Sequence, residues 1–168
     1  MARVELSAEK ERLQPSLLDR LTDREPGQIK ESVRERVIDI RRLREIIQRD
    51  LGWLLNTANN ANDIHPGLYP HAARSTLNYG VEDVAGKMIG KAGVKSLETA
   101  VRTAVYDFEP RIIPGTLSVV SGHAEDGPQS QISIDIRAEL WASPVPVELY
   151  LRTHLDMADG SIQIDKMM

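Results

Sequence analysis

The sequence predicts a single α+β domain: N-terminal helices packed on a small C-terminal antiparallel sheet. Two observations predict it. Apolar residues recur at three- and four-residue spacing before the last third, as at Val94, Leu97, Val101, Ala104, Val105 and Phe108, which is the pattern of one buried helix face. In the last third the spacing changes to strict alternation, with Ile132, Ile134, Ile136, Ala138 and Leu140 set against Ser133, Asp135, Arg137 and Glu139. A chain of 168 residues suffices for one domain that buries about 70% of its unfolded surface.

In chain order, residues 1–14 are polar and read as disordered. Pro15 opens a short helix with Ser16 as N-cap and Leu17, Leu18 and Leu21 on one side. Pro26 and Gly27 mark a linker. The boundaries expected are therefore a flexible segment, 1–27, carrying this short helix, and a domain at 28–168. Two readings of the leucine triplet stand: it folds back on its own domain, or it docks in a partner's groove. The main helix is expected from about Ser32 to Thr57. Ser32 and Glu35 form a possible capping box, and Val33, Val37, Ile40, Leu43, Ile47, Leu51 and Leu54 form the apolar stripe. Arginines and acids interleave on its other faces, and arginine suits interfaces because its planar fork pairs with carboxylates.

Residues 58–93 hold loop signals, and Leu68–Gly80 allows one helical turn or a short strand. Gly86, Gly90 and Gly93 argue against a long helix before residue 94. The helix at 94–108 must stop at Pro110, which disfavours helical backbone at Glu109. Glu109, Pro110 and Arg111 then occupy a stiff corner. They are either a solvated helix end or a docking device, with both charges at least partly exposed. A helix C-terminus favours Arg111, while Glu109 needs another partner. Strands follow at 116–122, 131–140 and 147–156, the last with Val147, Leu149, Leu151, Thr153 and Leu155 inward. Asp126-Gly127-Pro128 reads as a turn, and Asp159-Gly160 closes a hairpin to a short strand at 162–164. A small sheet of this kind is expected to keep one open edge, guarded by Glu148, Arg152 and Asp156.

Composition narrows function. With one Phe, two Trp and four Tyr, the core must be mostly Leu, Ile and Val; Trp53 and Trp141 read as core, rim or interface anchors. A net charge of −4 gives no case for nucleic acid or an anionic membrane. The absence of cysteine rules out disulfides and thiolate metal sites. The first residues lack the apolar core of a signal peptide, and no run approaches the roughly 20 apolar residues of a membrane span. His65, His71, His123 and His154 do not cluster, His123 being expected in a turn, and no phosphate loop or dinucleotide fingerprint is present, so neither cofactor nor metal is expected. Glycoside hydrolysis needs two carboxylates about 5–9.5 Å apart, one with a raised pKa. Glu109 is the obvious acid, but Arg111 beside it would favour its ionised form, and Asp107 lies on another side of the helix.

Phe108-Glu109-Pro110-Arg111-Ile112-Ile113-Pro114-Gly115 resembles the Glu-Pro-Arg motif of the contractile-tail baseplate family, the GPW or gp25-like group. That group holds phage wedge proteins and TssE of the type VI secretion system. Four further stretches agree with the TssE branch: Pro15–Leu21, Asp50–Thr57, Tyr69-Pro70 with Arg74–Gly80, and Glu139–Pro146 with Leu149–Thr153. They span residues 15–157 in the family's order. The resemblance implies a non-enzymatic wedge subunit that binds TssF and TssG, with TssK as a further partner, and nucleates the TssB–TssC sheath. It implies a cytoplasmic place at a baseplate docked on the inner membrane. Glu109, Pro110, Arg111, Leu17, Leu18 and Leu21 are the expected partner-binding residues. The alternatives it leaves are a lysozyme-like peptidoglycan hydrolase, with Glu109 as acid, and the wedge of another contractile injection particle.

Overall fold

A computed structural model describes residues 16–22, 27, 40–86, 90–123, 131–142 and 146–165. The elements run α1 (Leu17–Leu21), α2 (Ile40–Leu55), α3 (Pro70–Ala73), a 3-10 turn (Thr76–Asn78), α4 (Lys91–Phe108), β1 (Ser118–His123), β2 (Gln131–Leu140), β3 (Val147–Asp156) and β4 (Ile162–Ile164). The four strands form one antiparallel meander in the order β1-β2-β3-β4. The domain is α+β, helices first and sheet second. Its core lies between α2 and α4 on one side and the inner face of the sheet on the other.

Alternation decides the sheet. All five inward residues of β2 and all five of β3 are buried. Thr153 is the polar exception, and its hydroxyl donates to Ile134 O at 3.0 Å, so no buried hydroxyl is left unpaired. The Asp159-Gly160 turn forms as expected, with Gly160 at φ +74° and Asp159 Oδ1 accepting from Ser161 N–H at 2.8 Å. β1 begins two residues later than the sequence suggests and runs through His123 rather than ending in a turn before it. The expected turn at 126–128 lies outside the described residues.

The helices differ more from expectation. α2 buries Leu43, Ile47, Leu51 and Leu54 as predicted, together with Ile46 and Leu55, but Ile40 is exposed. The expected first part of this helix, with Val33 and Val37, lies outside the described residues. α4 starts at residue 91, with Gly90 as its N-cap and Gly93 inside its first turn. The glycine argument fails there because burial of Leu97, Val101, Ala104 and Val105 outweighs the ~1 kcal/mol that a helical glycine costs. Between α2 and α4, Gly80 adopts φ +117°, and a Cβ there would lie 2.1 Å from Thr57 O. Only glycine lets the chain cross the end of α2 so closely.

Candidate functional site

The corner is built by three backbone constraints. Glu109 is the C-cap of α4 at φ −116°, ψ 84°, outside the helical region that the following proline disfavours. Ile112 N–H returns to Glu109 O at 3.2 Å and closes the turn. Ile113 N–H then donates to Glu139 O at 2.8 Å, and Trp141 N–H donates to Arg111 O at 2.7 Å. The corner is thus stitched to the end of β2, in line with β1.

This backbone turns Glu109 inward. Its carboxylate is 4% exposed, which corrects the expectation that both charges of the corner face water. Glu109 Oε1 accepts from Arg111 N–H at 3.1 Å and from Arg111 Nε at 2.6 Å, while Oε2 accepts from Arg111 Nη2. Arg111 is partly exposed and reaches onward: its Nη2 also donates to Asp50 Oδ2 of α2 at 2.6 Å. Burial works against the Arg111 charge, but Glu109 and Asp50 outweigh it and hold the guanidinium above its ordinary pKa. Pro110 is exposed at the apex.

The pairing does not stop at Asp50. Arg49 Nη2 donates to Asp50 Oδ1 at 2.7 Å, and Arg49 Nη1 donates to Asp19 Oδ1 of α1 at 2.7 Å. Arg49 also lies over the Trp53 ring, 4.8 Å from its centroid. Five charges, Asp19, Arg49, Asp50, Arg111 and Glu109, therefore alternate along one line from α1 through α2 to the corner. Tyr79 faces the inner end of this line. Burial raises its pKa, and the negative charges of Asp50 and Glu109 raise it further. Its ring meets Phe108 edge-on at 5.3 Å. A shallow cleft of about 240 Å³ lies over the line, walled by Leu18, Trp53, Tyr79 and Phe108.

α1 hangs at the outer end. Ser16 caps it as predicted, its hydroxyl accepting from Asp19 N–H at 3.3 Å and donating to Asp19 Oδ2 at 2.5 Å. Leu17, Leu18 and Leu21 are 69%, 50% and 74% exposed, so the helix is attached by its polar side and shows Leu17 and Leu21 to solvent, with Leu18 at the edge of the cleft. The site therefore unites all six predicted residues in two different states: a buried, ion-paired corner and an exposed leucine face. Sequence reasoning missed Asp19, Arg49 and Asp50, which join the two. Asp50 opens the Asp50–Thr57 stretch, the one signal that pointed to it.

The same geometry bears on hydrolysis. In the corner, Glu109 and Asp50 are bridged by one guanidinium, whereas glycoside hydrolysis sets its two carboxylates on either side of the substrate. Among the described residues, no group of three or more His, Cys, Asp or Glu is placed to hold a metal ion.

The family model for baseplate wedge protein gp25 matches residues 41–145, from α2 to beyond the end of β2, with the corner inside the match. No curated protein and no solved structure matches the chain.

Proposed function

Because this chain belongs to the baseplate wedge protein gp25 family, a structural family, we propose that it is the TssE-type wedge subunit of a type VI secretion baseplate. In this reading it joins TssF and TssG, stands near TssK, and offers its sheet as the first template for TssB–TssC sheath subunits. The family match carries the wedge assignment. The division of the sheet supports the template role: β3 has ten residues and β4 only three, so among the described residues part of β3 has no neighbouring strand on the β4 side.

The proposed contact residues divide by exposure. Leu17, Leu18 and Leu21 touch the partner directly, from a segment (1–27) separable from the 28–168 domain. Pro110 and the accessible part of Arg111 present the apex of the corner. Glu109 acts by fixing Arg111. The baseplate setting places the protein on the cytoplasmic side; no described helix is long and apolar enough to cross a membrane. Affinity purification of the tagged chain from its own cells, after cross-linking, tests the reading. Wedge and sheath subunits are the expected co-purifying proteins. Recovery of a different injection particle's subunits would replace the type VI assignment, and release of labelled fragments from peptidoglycan by the purified chain would overturn the structural role.

A further inference from the structure

The two outer edges of the sheet are treated differently. In β1, the backbone groups of Val119 and Ser121 point away from β2, yet they are not free. Arg102 Nη2 donates to Val119 O at 3.0 Å. Ser121 N–H meets Glu98 Oε2 at 3.5 Å, and Ser121 Oγ donates to the same oxygen at 3.1 Å. Glu98 and Arg102 are one turn apart on α4. Four helical residues rise about 6 Å and two strand residues about 6.6 Å, so an i, i+4 pair can serve alternate outward groups of a strand. Glu98 lies near the surface but is walled off by its partners, Lys95 at 2.8 Å and Arg102 at 3.1 Å, and is 6% exposed.

At the opposite edge, β4 is closed in the same manner by α2 and the residue that follows it, Asn56. The Asn56 amide both accepts from Ile162 N–H and donates to Ile162 O, each at 2.9 Å, and Gln48 donates to Asp165 O at 3.2 Å. But β4 pairs only with Thr153–Leu155. From Val147 to Leu151, β3 has no neighbouring strand on that side among the described residues. One Arg44 Nη2 contact to Glu148 O, at 3.2 Å, touches this stretch, and the outward backbone groups of Tyr150 have no partner among the described residues. On the wet face beside it, Glu148 sits directly across from Glu139, and neither makes an ion pair among the described residues. Like charges in this register repel.

We infer that the sheet accepts a partner strand on one side only, against β3 around Tyr150, and that Glu98 and Arg102 keep the β1 side shut. The inference rests on the strand-addition reading above and gives it a direction. The strand it fits is an extended segment of another subunit, apolar on the side continuing Val147, Leu149 and Leu151, with a basic residue facing Glu148. A locked β1 edge also prevents two copies from pairing edge to edge.

Amide hydrogen exchange on the whole protein, alone and with purified contractile-sheath subunits from the same cells, tests this. Alone, Ser121 N–H should exchange slowly and Tyr150 N–H quickly. Sheath subunits should slow Tyr150 by roughly tenfold or more and leave Ser121 unchanged. New protection at Val119 and Ser121 would overturn the one-sidedness while leaving strand addition standing. Protection at neither edge would remove strand addition as well. Tyr150→Pro deletes a donor that points away from β2, so it should abolish the sheath-induced protection at the neighbouring outward amide of Glu148, and Tyr150→Ala, which also loses the contacts to Asp135 and Arg137 but keeps the amide, should retain it. Glu148→Lys should weaken sheath binding; unchanged or tighter binding would refute the basic partner residue. Glu98→Ala with Arg102→Ala should self-associate as concentration rises, and a folded, monomeric double variant would show that these residues are not the lock.

Discussion

The corner and the N-terminal helix are two ends of one line of ion pairs, yet they differ in what would hold them if a pair were lost. At the corner, Glu109 is held by three hydrogen bonds from Arg111, by the C-cap position of α4 and by the backbone bonds to β2. At α1, the Asp19–Arg49 pair attaches the helix to α2, while Leu17 and Leu21 are mostly exposed and Leu18, half exposed, lines the cleft. The same carboxylate–guanidinium chemistry therefore serves as a brace where the backbone also holds both partners and as a hinge pin where it tethers a short helix. Anchorage, not exposure, separates the two: the Arg111 and Glu109 side chains are 26% and 4% exposed and the Arg49 and Asp19 side chains 30% and 5%, but breaking the corner pair strands a charge that the backbone keeps buried, while breaking the α1 pair lets α1 swing away and returns both partners to water.

The largest expected effect is at the brace. Arg111→Ala leaves Glu109 buried and Asp50 without its second guanidinium, and should cost about 3–5 kcal/mol. At about 2–4 °C per kcal/mol for a domain of this size, a thermal melt reads this directly. Arg111→Lys should recover only part, since one ammonium cannot span both carboxylates as the fork does. A midpoint within about 1 kcal/mol of the parent would make the corner a surface feature after all. Gly80→Ala comes next. It combines a strained positive φ with a backbone clash against Thr57 and should cost at least ~2 kcal/mol. A neutral result there would mean that the crossing over the end of α2 is slack.

The contrast explains what could be read from the sequence. β2 and β3 were legible to the residue because alternation of strongly apolar and polar side chains has only one structural solution. The Ser16 cap and the stop at Pro110 were legible because their physics is local. The burial of Glu109 was not. Sequence showed that an anion at a helix C-terminus lacks a partner, but its enclosure depends on Asp50, 61 residues from Arg111, and on β2, neither of which leaves a periodic trace. The same holds for the closure of the β1 edge. Glu98 and Arg102 have ordinary i, i+4 helix spacing, and nothing local says that the residues beside them are a strand's outward carbonyl and amide.

A smaller effect should appear at the hinge pin as pH falls. Hydrogen bonds from Arg49 pull the Asp19 carboxyl below its ordinary range; burial opposes this, and Ser16 adds to it. A depressed pKa means that the ionised form stabilises the docked state. That stabilisation is fully present above the ordinary carboxylate pKa, about 3.9, and is lost as pH falls through the lower docked value. Because a released α1 returns both charges to water, it should be smaller than the effect at the corner. Arg49 lies on Trp53, so Trp53 emission, read in a Trp141→Phe background, should report the release of α1 below about pH 4. Asp19→Asn should produce the same emission at neutral pH. If it does not, α1 is held by something other than the Arg49 pair.

The smallest effect on stability, and the largest on assembly, is expected from the leucine face. Leu17, Leu18 and Leu21 are half or more exposed, so replacing all three with Ser should move the melting midpoint by no more than ~0.5 kcal/mol equivalent. If the face docks on a wedge subunit, each leucine that becomes fully buried contributes about 1.5–3 kcal/mol before ordering costs. The triple variant should then co-purify with far less of its wedge partners while remaining as stable as the parent. These two measurements separate the ends of the ion-pair line. A variant that melts early would mean that α1 belongs to the core after all. A variant that is stable and still captures its partners in full would leave the leucines as unused surface and move the docking role to the Pro110 apex.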